Sequence, residues 1–281
     1  MSLTMETDAQ TMLEEADRHA GRNFAPLSLP RSVFFRAKVA PNGPLPAPQL
    51  KKDELAKKLR RFDLFAALPL AALKEVAAKA QVRAYRRGEF LWQRGDAAKH
   101  VVFIEAGFVK AARRDRKGGS KTYGLFGPGD SLGLFALWAG AHYPTDAVAL
   151  NEGLTLVVID AAELTRLAEK YSPLAAKLQG EVTRFTEAFI NKIEIISAGT
   201  ISQRLAVLMM QLVSRYGVDR QGEKARLPIC LTLEQISEII GARVETVARG
   251  LGRWKRAGWL ITDAHGCHFN CLDKVRELLP D

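Results

Sequence analysis

The sequence predicts an α+β chain: an antiparallel β sandwich, then one long helix, then a winged helix-turn-helix. Three observations carry that prediction. Glycines at 88, 95, 107, 118, 119, 124, 127, 129 and 133 punctuate short alternating runs, the pattern of strands joined by tight turns. Leu178, Val182, Phe185, Phe189, Ile193 and Ile196 then recur at helical spacing. Finally, two helix signals separated by Gly241 are followed by a hairpin signal around His265-Gly266.

The sandwich is preceded by a helical pattern from Lys51, through Leu55, Leu59 and Phe62 to Leu73, Val76, Ala77 and Ala80. Strands are expected at Glu89 to Gln93, Val101 to Glu105, Phe108 to Arg113, Lys121 to Phe126 and Leu154 to Ile159. Arg114 to Gly119 reads as a hairpin turn, because paired glycines accept positive φ without steric cost. In the long helix the apolar stripe needs a cover, and the same helix of a second subunit is the economical one. Leu178, Val182, Phe185, Phe189, Ile193 and Ile196 are therefore the candidate dimer seam. Lys192 interrupts a strict heptad, and packing within one chain stays the alternative.

Helices are expected over Ile201 to Tyr216, Thr232 to Ile240 and Val244 to Ala257. Thr232 and Gln235 have the spacing of a capping box. Val244, Val247, Leu251 and Trp254 form the apolar face of the second helix of the pair, leaving Arg243, Glu245, Thr246, Arg249 and Arg253 to point elsewhere. The boundaries that follow are a proline-rich arm over 1–50, a sandwich domain over 51–169, a linking helix over 170–199 and a winged helix-turn-helix over 200–281. Six of the twelve prolines fall in the arm, and Met1-Ser2-Leu3 reads as an expression remnant.

At 281 residues the chain is sized for about two domains. Its apolar share of 47% excludes disorder as the general state. The longest nearly apolar run, Ser131 to Ala141, is about half of what a spanning helix needs, and no secretory signal is visible, so membrane passage and secretion are not expected. Three cysteines, Cys230, Cys267 and Cys271, suit a reducing cytoplasm better than a disulfide framework. The net charge of +10 is consistent with a polyanionic partner. Its excess nonetheless sits in residues 31–100, with 16 basic and 6 acidic side chains, whereas residues 200–281 carry 12 and 9.

Phe62-Asp63-Leu64-Phe65, Gly127-Pro128-Gly129-Asp130, Leu231-Thr232-Leu233-Glu234-Gln235-Ile236 and Gly241-Ala242-Arg243-Val244-Glu245-Thr246-Val247-Ala248-Arg249 stand in this order. Together they resemble the Crp/Fnr superfamily of bacterial transcription regulators over roughly Lys51 to Leu279. The resemblance implies a jelly-roll sensor domain of the cyclic-nucleotide-binding type, a dimerisation helix and a DNA-binding winged helix-turn-helix. It also implies a homodimer on near-palindromic double-stranded DNA, and contact with RNA polymerase. Arg243, Glu245, Thr246, Arg249 and Arg253 become the candidate DNA-binding residues. Glu245 and Arg249 stand where the family carries base-contacting Glu and Arg, which suits a G·C pair: arginine matches guanine O6 and N7, and glutamate accepts from cytosine N4. Without the resemblance, the same two residues read as a surface ion pair one helical turn apart. Val244 looks more like the Fnr branch, and Ala248 replaces the serine usual there.

Leu134, Phe135, Trp138, Tyr143 and Thr145 are the candidate effector-pocket residues, although a packed core is the preferred reading of this stretch. Members that bind cyclic AMP carry a glutamate and an Arg-Ser or Arg-Thr pair, whereas this chain has Leu134 after Gly133 and Pro144-Thr145 at the later pair. Cyclic AMP is therefore not expected, since an apolar pocket offers a phosphate nothing in place of its water. No cysteine precedes Cys230, so the N-terminal iron-sulfur cluster of the Fnr branch is not expected either. Haem or nitric oxide sensing, a thiol response and a ligand-free orphan stay open. No metal site is expected: His100 and His142 are not metal-spaced, and Cys267 and Cys271 lie about 13 Å apart if their segment is a strand. Cys267 and Cys271 read as inert thiols, and the alternative is a redox response near the DNA surface with Cys230 as a conceivable neighbour. No catalytic constellation is visible; a jelly-roll module acting through protein contacts is the rival reading, and a metal-dependent sandwich enzyme is the other.

Overall fold

The computed structural model describes residues 50–114, 120–134, 142–263 and 266–280, without the side chains of residues 182, 184 and 185. The proline-rich arm, the tip of the Arg114 to Gly119 turn, Phe135, Trp138, His265 and the side chains of Val182 and Phe185 thus lie outside the described residues.

Eight strands form two antiparallel four-stranded sheets: β1 (Gln81–Tyr85), β2 (Phe90–Trp92), β3 (His100–Ala106), β4 (Val109–Arg114), β5 (Ser120–Phe126), β6 (Ser131–Leu132), β7 (Asp146–Ala149) and β8 (Leu154–Asp160). One sheet has the order β1-β8-β3-β6 and the other β2-β7-β4-β5. Strands 1 and 8, 2 and 7, 3 and 6, and 4 and 5 are paired, which is the jelly-roll arrangement. Alternation along β3 shows why the strands form here. Val102 and Ile104 enter the core between the sheets with Phe126, Ala147 and Leu156. Val101 and Phe103 point the other way, onto a second core.

That second core is built by helices. α1 (Lys52–Leu59), α2 (Asp63–Ala66) and α3 (Leu70–Lys79) come before the sandwich. They bury Leu59, Phe65 and Leu73 against Phe103, Val157 and Ile159. After β8, Asp160 caps α4 (Ala161–Lys170) by accepting from Ala162 N at 2.9 Å. The 26-residue α5 (Ser172–Ser197) follows, with a proline in its first turn.

A third core holds the remainder of the chain: α6 (Ile201–Tyr216), β9 (Val218–Gln221), β10 (Lys224–Leu227), α7 (Leu233–Ile240), α8 (Val244–Arg256), β11 (Leu260–Asp263), β12 (Gly266–Phe269) and α9 (Leu272–Arg276). The hairpin expected near Gly266 is part of a four-stranded antiparallel sheet, β11-β12-β10-β9. α7 and α8 bury Ile236, Ile239, Ile240, Val247, Leu251 and Trp254 on α6 and this sheet. No described helix is long and apolar enough to cross a membrane.

Candidate nucleic-acid interface, effector pocket and dimer face

The exposed outer face of α8 is set up by its neighbours. Thr232 Oγ1 accepts from Gln235 N at 3.2 Å, and Thr232 N donates to Gln235 Oε1 at 2.9 Å, so the expected capping box starts α7. Gly241 ends it in the left-handed region (φ 65°), which lets the chain reverse into α8 within three residues. Gly250 allows α8 to lie close on α6, because a Cβ there would fall 2.7 Å from Leu205 Cδ1. With Val247, Gly250, Leu251 and Trp254 turned inward, Arg243, Glu245, Arg249 and Arg253 are exposed and Thr246 is half-buried. Arg253 Nη2 reaches Ser202 Oγ at 3.3 Å. Among the described residues Glu245 and Arg249 form no ion pair with each other, and both side chains are exposed.

α7 is tied to the rest of the chain through its last turn. Glu238 Oε2 accepts from Lys110 Nζ at 2.7 Å and from Thr122 Oγ1 at 3.2 Å, both on the sandwich. Lys192 Nζ of α5 donates to the Ile239 carbonyl, and Arg204 Nη1 of α6 to the Ile240 carbonyl at 3.2 Å. Cations thus satisfy the orphan carbonyls at the helix C-terminus. Burial holds the Lys192 ammonium down at about 8. A second tie joins α6 to the turn before β6: Asp130 accepts from Arg215 Nη2 and from the Tyr216 hydroxyl, each at 2.6 Å. Burial, then the Asp130 charge, raises the Tyr216 phenol well above its ordinary range.

The candidate effector pocket is an apolar cavity of about 40 Å³ in the sandwich, walled by Trp92, Tyr123, Phe126, Leu132, Tyr143 and Phe189 among others. Trp92 stacks on Tyr143 with centroids 4.1 Å apart, and its indole N–H donates to the Thr145 carbonyl at 3.1 Å. Among the described residues no charged side chain, His or Cys lines it. Of the expected pocket residues, Tyr143 and Thr145 do line this cavity. Leu134 is buried instead in the second core, with Phe65 and Phe103, so the chain turns it away from the cavity after Gly133. Phe135 and Trp138 fall outside the described residues. Sequence reasoning missed Trp92, Phe126 and Ala188, which come from three distant segments; only the shared aromatic texture hinted at the first two.

α5 carries two apolar faces. Leu174 and Ile195 are buried within the chain, and Leu178 packs half-buried beside Leu174, so it belongs to the inward face. Phe189, Ile190, Ile193 and Ile196 lie on the outer side, 40%, 50%, 57% and 42% exposed. Four large apolar side chains this open, clustered on two turns of one helix, mark a surface that needs a cover.

Two family models match: a cyclic nucleotide-binding domain over residues 82–171 and a Crp-like helix-turn-helix domain over 203–276, together more than half of the chain. This chain is a member of the Crp/Fnr superfamily of transcription regulators. Relatives of this Crp/Fnr member include the CRP-like cAMP-activated global transcriptional regulator of Mycobacterium tuberculosis. That protein is 23% identical over 202 residues, 72% of this chain and 89% of the relative. The fumarate and nitrate reduction regulatory protein of Escherichia coli K12 is 26% identical over 175 residues, 62% of this chain and 69% of the relative. Among solved structures, FixK2 from Bradyrhizobium japonicum superposes with a TM-score of 0.62 at 19% identity, covering 72% of this chain and 98% of FixK2. The c-di-GMP responsive regulator CLP of Xanthomonas campestris gives 0.57 at 15% identity, over 72% and 99%. In this Crp/Fnr chain the helix-turn-helix match contains α7, α8 and both hairpins, so family and geometry meet on the same exposed helix face.

Proposed function

We propose that this Crp/Fnr regulator works as a homodimer that reads a near-palindromic DNA site with one α8 helix per subunit. The observation that carries the reading is the outward position of Glu245 and Arg249, with no ion pair between them among the described residues, on a helix whose opposite face is fixed in a core. Arg249 is assigned to guanine O6 and N7 and Glu245 to the paired cytosine N4. Arg243, Thr246 and Arg253 are assigned to the phosphates that set the register. The dimer seam is assigned to Phe189, Ile193 and Ile196 with Ile190 added, and the domain boundaries to 51–169, 170–199 and 200–281. A two-fold dimer on DNA places equivalent helices about 34 Å apart. RNA polymerase contact and a cytoplasmic location follow from kinship alone and belong to the same proposal, as does the absence of enzymatic activity. Selection of the full chain on random duplexes tests it: inverted repeats with half-sites about one helical turn apart are expected, and recovery of no common motif overturns it.

Control by cyclic AMP is not part of the reading. The M. tuberculosis relative is named as cAMP-activated, but here the candidate cavity has no charged side chain among its described lining residues, so it offers a cyclic phosphate no cation in place of its water. At about 1 mM cyclic AMP, a site with a dissociation constant near 10 µM would stabilise the fold by about 2.7 kcal/mol. No rise in melting temperature is expected, and a saturable rise contradicts this part of the proposal.

A further inference from the structure

Cys230 and Cys267 lie 37 residues apart in sequence, yet their sulfurs are 3.6 Å apart. Cys230 is exposed, in the extended segment between β10 and α7, whereas Cys267 is buried in β12. Both thiols line a cavity of about 240 Å³ that also touches Lys255 and Thr262. Lys255 Nζ donates to Thr262 Oγ1 at 2.8 Å, which fixes its charge beside the pair. The other charged group facing the pair, Asp263, is engaged by His268 Nε2 at 2.9 Å. The Cys267 S–H donates to the Cys230 sulfur and, with Lys255, holds the Cys230 thiol down at about 6. The hydrogen bond to Cys230 and burial push the Cys267 thiol up. One sulfur is therefore an exposed thiolate near neutral pH and the other a protonated partner within reach, the division of labour of a reactive and a resolving cysteine.

We propose that Cys230 and Cys267 form a hydroperoxide-reactive dithiol site whose product is an intrachain disulfide joining the wing strand β12 to the segment that enters α7. The Cys230 thiolate attacks one peroxide oxygen; the O–O bond breaks, the departing oxygen takes a proton and leaves as water or alcohol, and Cys230 becomes a sulfenic acid. Cys267 then attacks the Cys230 sulfur. The S–S bond forms as the S–O bond breaks, and the hydroxyl leaves as water with the Cys267 proton. Two thiols lose two electrons in total and one peroxide gains them. Closing the sulfurs from 3.6 Å to about 2.05 Å ties the lead into α7 covalently to the wing, so operator affinity changes with oxidation. That last consequence alone rests on the DNA-reading proposal.

The test uses the full-length reduced protein, stoichiometric hydrogen peroxide and peptide mapping. The expected result is a loss of about 2 Da with a Cys230–Cys267 cross-linked peptide, reversed by dithiothreitol. Iodoacetamide at neutral pH should label Cys230 about tenfold faster than half-buried Cys271, with the labelling rate falling by half near the pH where the thiolate is protonated. In Cys267→Ser the reaction should stop at a Cys230 sulfenic acid trapped by dimedone, while Cys230→Ser should leave residue 267 unmodified. Equal labelling of Cys230 and Cys271, or peroxide products in the natural chain that match those of Cys267→Ser, overturns the site. Oxidised protein should differ from reduced protein about threefold or more in operator affinity, a small fraction of the discrimination available to such interfaces. A disulfide that forms without changing affinity overturns the regulatory consequence and leaves the DNA-reading proposal intact.

Discussion

Glu238, on the first helix of the helix-turn-helix pair, accepts a 2.7 Å hydrogen bond from Lys110 in the middle of the sandwich sheet. Their side chains are only 24% and 15% exposed, so the pair is largely withdrawn from water. Thr122 on β5 shares the same carboxylate oxygen. α7, which packs against α8, is thus keyed directly to the sandwich sheet.

Removing one partner strands the other. Glu238→Ala should destabilise the chain by about 1–3 kcal/mol, because the Lys110 ammonium and Thr122 hydroxyl lose their acceptor. Lys110→Met combined with Glu238→Leu should recover much of that loss, since neither charge then remains half-buried. Urea unfolding of Lys110→Met, of Glu238→Leu and of the double gives the coupling. A double variant no more stable than the sum of the singles would contradict the link.

At the reading face the expected effect is on discrimination and not on folding. Arg249 is exposed and makes no described ion pair, so Arg249→Ala should leave the melting temperature within about 1 °C. Preference for the selected site over a scrambled duplex should fall by about 1–3 kcal/mol, roughly fivefold to 150-fold. Arg243→Ala should instead weaken both duplexes alike and flatten the salt dependence by about one phosphate contact. Fluorescence anisotropy at two salt concentrations separates the two; equal loss on both duplexes for Arg249→Ala would remove it from base reading.

How much of this was legible in the sequence depended on whether the signal was local. Capping at Thr232 and Gln235, the turn at Gly241 and the span Ile201 to Tyr216 are written in neighbouring residues, and the structure has them where the spacing put them. β9 was not legible: Val218 to Gln221 are all exposed, so no apolar alternation marks the strand, and only its pairing with β10 creates it. The pocket failed for a related reason. Leu134 is adjacent to a lining residue in sequence, yet Gly133 adopts a positive φ of 92° and sends the next side chain into the other core. Trp92, Phe126 and Phe189 meet only after the sandwich closes and α5 crosses it. Likewise, no spacing rule joins Cys230 to Cys267, whose approach depends on β10 and β12 pairing at Leu227 and Cys267.

The outer face of α5 makes a prediction about assembly. Ile193 is 57% exposed, so Ile193→Asp should cost the isolated chain little. In a paired helix the same carboxylate would be buried opposite its symmetry mate, which is prohibitive without a partner charge. Light scattering should show monomers for Ile193→Asp and for Phe189→Asp, with circular dichroism unchanged for the former. Phe189→Asp should also disturb the sandwich cavity, because Phe189 lines it. A dimer persisting in both variants would place the subunit contact elsewhere.

The last prediction concerns pH and Lys192, whose ammonium is partly buried between α5 and the end of α7 and is held at about 8, below the free lysine value of 10.5. The folded chain therefore releases this proton more readily than the unfolded chain. Below about pH 8 both states carry it, and the full desolvation penalty opposes folding. Between about 8 and 10.5 the unfolded state still binds the proton and the folded state does not, so this site makes stability rise with pH. Solvent still reaches the group, which limits the gain to about 1 kcal/mol. Lys192→Met removes the charge together with the donor to the Ile239 carbonyl, and its stability should lack this pH-dependent gain. Urea unfolding at pH 7 and at about pH 9.5 should therefore show the natural chain improving relative to Lys192→Met by about that amount. Parallel curves for the two proteins would mean that the Lys192 ammonium is solvated as freely in the folded chain as in the unfolded one.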